Sequence, residues 1–83
     1  MRTYEEVREN IYLSIMIFDY DLFEKAFKCY LVNYARNLNV KELTIDFFVR
    51  KPKRKVKIAI AKLFIKEFKN KHSELLKDIK ISI

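Results

Sequence analysis

The chain contains no glycine and only one proline, Pro52, in 83 residues. Phosphate loops of the P-loop or dinucleotide type need glycine where the backbone closes on the phosphate, so both are excluded. Any backbone position requiring positive φ must fall to Asn or Asp, the next most tolerant residues. Asn33, Asn37, Asn39 and Asn70 are therefore the candidate chain reversals.

Between those points the pattern is helical. Thr3 followed by Glu6 forms a capping box, and Val7, Ile11, Ile15 and Phe18 recur at helical spacing behind it. A first helix is expected over 4–18. Asp21 with Glu24 repeats the capping pattern, and Phe23, Phe27, Tyr30, Tyr34 and Leu38 make one face of a second helix over 22–38. Asn37-Leu38-Asn39 is its stop, with Asn standing where glycine usually does. The stretch 40–49 reads two ways. Leu43, Ile45, Phe47 and Val49 alternate as a strand would, whereas Val40, Leu43 or Thr44, Phe47 and Phe48 fit a short helix.

After Pro52, placed as a first helical residue, comes the longest periodic segment. Ile58, Ala61, Ile65, Phe68, His72, Leu75 and Ile79 keep a 3–4 spacing over three heptads, the seam of a helix packed along another helix. The competing reading makes Lys55 to Ala61 a strand, closing a basic hairpin over 43–61. The expectation is one all-α domain, 1–83, of about four helices with a long C-terminal helix. Its seam would pair with its own copy in a homodimer.

Charge is unevenly spread. Met1 to Val49 carries six Lys/Arg against eight Asp/Glu, while Arg50 to Ile83 carries twelve against three, within a net charge of +7. Clustered cations gain affinity for a phosphate polymer by releasing its counterions, so the basic half implies an anionic partner. Arg50, Lys51, Lys53, Arg54, Lys55 and Lys57 place six cations in eight residues and are the expected phosphate contacts.

A second line comes from packing positions. From Leu31 onwards, small Ala35 lies where two helices would approach, flanked by Tyr34 and succeeded by Leu38. Asn39 stands at the turn, Val40 comes next, and Ile45 and Phe48 occupy buried places beyond it. This segment, Leu31 to Arg50, resembles the helix-turn-helix of DNA-binding regulators. The resemblance implies a recognition helix over 42–50 in the major groove, with Lys41, Glu42, Thr44, Asp46, Phe47 and Arg50 outward. Glu42 and Asp46 fit poorly among phosphates, and Arg50 alone is a good guanine reader. Size and Lys/Ile/Asn/Tyr/Phe usage are similar to small regulators of archaeal viruses and mobile elements, which implies host cytoplasm.

Other classes receive less support. His72 is the only histidine and lies on the seam, whereas a metal needs three or four donors. Cys29 has no local base and can make no internal disulfide. Ser14, Ser73 and Ser82 lack a triad context. No catalytic constellation, metal site, cofactor or small-molecule substrate is expected. The N-terminus has acids where a signal peptide would be apolar, and the longest uncharged run, Asn10 to Phe18, is nine residues. The roughly 18–20 needed to span a bilayer are not reached, so a cytoplasmic protein without a membrane partner is expected. Most of the aromatics are expected on core faces, and Tyr20 and Phe47 are the ones expected exposed. The alternative function is a helical protein–protein interaction module whose charge docks an acidic protein.

Overall fold

The computed structural model describes residues 3–51 and 54–83. Pro52 and Lys53, and the roles expected of them, lie outside the described residues. Helix α1 spans Tyr4–Met16, and Thr3 Oγ1 caps it by accepting from the Glu6 N–H at 3.1 Å. Helix α2 spans Tyr20–Tyr30 and is capped by Asp19, whose Oδ1 accepts from the Leu22 N–H at 3.1 Å. The cap lies two residues before the expected one, because Asp19 and not Asp21 stands three residues ahead of a free helix donor. Tyr4 at the start of α1 meets Tyr30 (ring centroids 6.1 Å) and Tyr34 (5.3 Å). The two helices therefore run antiparallel.

Beyond Tyr30 the helix widens into a π turn, Leu31–Ala35. A π turn absorbs one extra residue and rotates everything after it. This explains why Ala35 is buried at 2% exposure, whereas Leu38, expected on the inner face, is 58% exposed. Asn39 then takes φ 55°, and the Val40 N–H donates back to the Ala35 carbonyl at 3.0 Å. The expected reversal is present at Asn39.

The segment after Asn39 is not a recognition helix. Strand β1, Glu42–Thr44, pairs in parallel with strand β2, Lys80–Ser82, in the register Glu42↔Lys80, Leu43↔Ile81, Thr44↔Ser82. Only a single helical turn, α3 (Ile45–Phe48), separates β1 from Val49. Phe47, Phe48 and Val49 are all buried in succession. Three consecutive inward residues cannot share a helix that also lies in a groove, so the expected helix over 42–50 is corrected to a strand and one turn. The hairpin over 43–61 is corrected as well, because β1 takes its partner from the far end of the chain.

Helix α4 spans Arg54–Lys71, and after it come one turn, α5 (Ser73–Leu76), and then β2. At His72 (φ −134°, ψ 45°) the backbone leaves the helix, so the expected long helix is shorter than the heptad spacing implies. The seam is spent inside the protomer. Ala61 and Phe68 are fully buried and Ile65 is 8% exposed. Phe68 packs on Phe27 at 4.8 Å and on His72 at 4.7 Å. Ile58, His72, Leu75 and Ile79 are partly buried on the same chain. The expected subunit seam is therefore corrected to an intramolecular one. The chain is mainly helical with a two-stranded sheet, around a core in which Phe23, Phe27, Phe48 and Phe68 join Val7, Ile11 and Ile15 of α1. No helix among the described residues is long and apolar enough to cross a membrane.

Candidate nucleic-acid interface

The basic run divides into groups paired with the chain's own acceptors and groups left unpaired in solvent. Arg50 pairs with Glu9, and its guanidinium lies 4.3 Å from the Tyr12 ring centroid. Arg54 pairs with Asp46 at 2.9 Å. The Lys57 ammonium donates to the Met16 carbonyl at 3.2 Å, bridging α4 to the end of α1. These three cations serve the chain's own architecture. Lys51 and Lys55 are exposed, and Lys53 lies outside the described residues.

The other expected contacts also separate. Lys41 is exposed just before β1, and its carbonyl accepts from the Lys80 N–H at 2.9 Å. Thr44 is exposed on β1 beside Ser82. Phe47 is not available. It is 7% exposed, packs on Tyr30 at 4.5 Å and lies under the Arg8 guanidinium at 4.4 Å. Tyr20, also expected exposed, is half-buried with its hydroxyl enclosed. Burial first, then the carboxylates of Glu24, Glu67 and Asp21, push its pKa up to about 12. Both aromatics belong to the packing.

Arg8 is a fourth structural cation. Burial alone would lower its pKa, but hydrogen bonding to Tyr4 and the phenol of Tyr12 outweigh it, and the pKa is raised. Arg8 therefore stays charged within a cage of rings. A charge held by aromatic faces needs no carboxylate to stay in place.

A row of positive charge outside these pairs runs along α4. Lys55, Lys62, Lys66 and Lys69 are exposed and fall within about 60° of one another at ~100° per residue. Among the described residues, the only α4 lysine within ion-pair distance of a carboxylate is Lys71, 3.9 Å from Glu67. The stripe is ~21 Å long at 1.5 Å per residue. Phe64, Ala61 and Phe68 occupy the opposite side and fix this face outward by burying themselves. Sequence reasoning ends the basic site at Lys57 and so misses Lys62, Lys66 and Lys69. Their spacing of four and three, out of phase with the Ile65–Phe68 seam, is the signal that could have found them.

Among the described residues, no three His, Cys, Asp or Glu side chains cluster closely enough to hold a metal ion. Cys29 is half-buried, and Asn33 Nδ2 donates to its sulfur at 3.4 Å. No family model matches the chain, nor does any curated protein or solved structure.

Proposed function

We propose that this protein binds the phosphate backbone of duplex DNA through the lysine face of α4, with Lys55, Lys62, Lys66 and Lys69 as the contacts. The observation carrying this reading is the row of four exposed ammonium groups without carboxylate partners among the described residues. A nucleic-acid strand lying alongside ~21 Å of helix passes about six phosphates at ~3.4 Å each. Several can be neutralised at once. No aromatic side chain stands among these lysines, so single-stranded bases would find no stacking platform there. A duplex, whose bases are already stacked, loses nothing on such a face.

Base-specific readout is not part of the proposal, because residues 42–50 do not form a helix that could enter a groove. Lys51 is exposed between α3 and α4 and would add an outlying phosphate contact. Backbone binding of this kind is nearly indifferent to sequence and steeply dependent on salt.

The test is fluorescence anisotropy with a labelled duplex of about 20 base pairs at salt concentrations between roughly 50 and 200 mM. Replacing Lys62, Lys66 and Lys69 with Ala should reduce the slope of log affinity against log salt by ~2–3, at roughly 0.9 per phosphate contact. Affinity should fall equally for unrelated DNA sequences. An unchanged slope in the folded triple variant would remove α4 from the interface.

A further inference from the structure

We infer that the groove between α4 and β2 is a docking site for an acidic amphipathic helix of a partner protein. One wall is α4, which contributes Lys62, Lys66 and Lys69 with Ile65 among them. The other wall is the row Ile79, Ile81 and Ile83, with Leu76 beside it. Ile81 is the middle residue of β2, and Ile79 and Ile83 flank the strand two positions to either side. The space between the walls is about 330 Å³ and open to solvent. That is near the floor of the roughly 300–1,000 Å³ that engulf small ligands. A ridge of side chains laid along the groove would fill it better than an enclosed molecule.

Charge and shape together select the occupant. No Asp or Glu is among the groove's lining residues, so three ammonium groups border an apolar trough with no acidic side chain beside them. Nucleic acid would satisfy the lysines and leave the isoleucines without an apolar counterpart. An amphipathic helix satisfies both. Apolar residues at i, i+3, i+4 and i+7 would enter the trough, and flanking carboxylates would meet the lysines. The stretch Lys62 to Lys69 measures ~10.5 Å along the axis, close to the ~10.8 Å of two helical turns. The occupant therefore engages over about two turns. Lysine stems would extend the apolar contact while their charged ends reach the acids. This site does not rest on DNA binding, although it shares Lys62, Lys66 and Lys69 with that face. An acidic helix seated there would exclude DNA from it.

The probe is a labelled helical peptide of about 14 residues with Leu at i, i+3, i+4 and i+7 and Glu on both flanks. Two companion peptides carry Lys in place of the Glu, or Ser in place of the Leu. The Glu peptide should bind the full chain at least tenfold more tightly than either companion and should displace the DNA duplex. The double variant Ile79→Ser/Ile83→Ser should weaken peptide binding about tenfold and leave DNA affinity unchanged. Ile83→Ser alone changes a 38% exposed side chain, keeps the fold intact and should weaken the peptide about threefold. Lys66→Ala should weaken both ligands. Peptide binding without DNA binding would support the groove while ending the DNA reading. Equal affinity for the Glu and Ser peptides would overturn the groove, as would indifference to both isoleucine variants or loss of DNA affinity in them.

Discussion

At Phe18 the backbone takes φ 58°, although the side chain is bulky and 62% exposed. The Asp19 N–H reaches back to the Ser14 carbonyl at 2.8 Å, and the Phe18 N–H to the Ile15 carbonyl at 3.4 Å. This closure of α1 usually employs glycine. The left-handed conformation costs an ordinary L-residue ~1–2 kcal/mol. Part of that cost is offset where the Phe18 ring stacks on Phe64, with centroids 5.6 Å apart and planes 12° apart, a contact worth ~0.5–1.5 kcal/mol. Phe18→Ala loses the stacking and keeps the strain, whereas Phe18→Gly loses the stacking and relieves it. Urea denaturation should therefore find the Gly variant about 1 kcal/mol more stable than the Ala variant. Equal midpoints would show that the positive φ costs nothing here. Asn39, at φ 55°, adopts the same conformation with a residue better suited to it, and this was the reversal legible from the missing glycines. Phe18 was not legible, because nothing in an apolar residue announces a left-handed backbone.

At the scale of elements, α4 decides how the molecule is held together. Phe68 is fully buried and lies 4.8 Å from Phe27 and 6.2 Å from Phe23, joining α4 to α2. Phe68→Ala should cost ~3–5 kcal/mol, a large share of the ~4–12 kcal/mol expected for a domain of this size. Denaturant unfolding should register the loss at every protein concentration, since the contact is internal. A stable, folded Phe68→Ala monomer derived from a wild-type dimer would instead make the seam a subunit interface. Heptad spacing specifies that a helix face is covered and does not specify by what. The seam was legible for that reason and its partner was not. The helix-turn-helix pattern failed similarly. Ala35 is buried and Asn39 reverses the chain, yet Ala35 lines a cavity with Leu75 and Ile79 of the C-terminal segment instead of meeting a recognition helix. A three-residue parallel pairing between positions nearly forty apart leaves almost no local trace, and it overrode the helical reading of 42–50.

Over the whole molecule, the charge asymmetry between the two halves is partly neutralised by ion pairs that cross between them. Arg50 to Glu9 and Arg54 to Asp46 are the ion pairs that join the basic half to the acidic one, and the hydrogen bond between His72 and Glu24 crosses in the same way. Both ion pairs occupy guanidiniums that the sequence assigns to the ligand, whereas Lys62, Lys66 and Lys69 are exposed and outside these pairs. The His72–Glu24 contact, 2.9 Å from Nε2 to Oε2, makes stability depend on pH in the acid range. Hydrogen bonding to His72 is the chief cause holding the Glu24 carboxyl below its ordinary value of 4.5; partial burial opposes it, and Lys71, His72 and Lys28 add attraction. A carboxyl whose pKa is lower in the folded chain than in the unfolded one binds fewer protons when folded. Its contribution is present above the unfolded value and is lost as pH falls through the folded one. Glu24→Gln should therefore be less stable than wild type at about pH 6–7, by up to about 1 kcal/mol for a pair this accessible. The gap should shrink steadily below about pH 4.5 as wild-type Glu24 takes up its proton. Paired urea titrations at about pH 7, 5, 4 and 3 would reveal it. A gap that stays constant across those pH values would mean that Glu24 contributes through packing alone, with His72 bonding its neutral and charged forms equally.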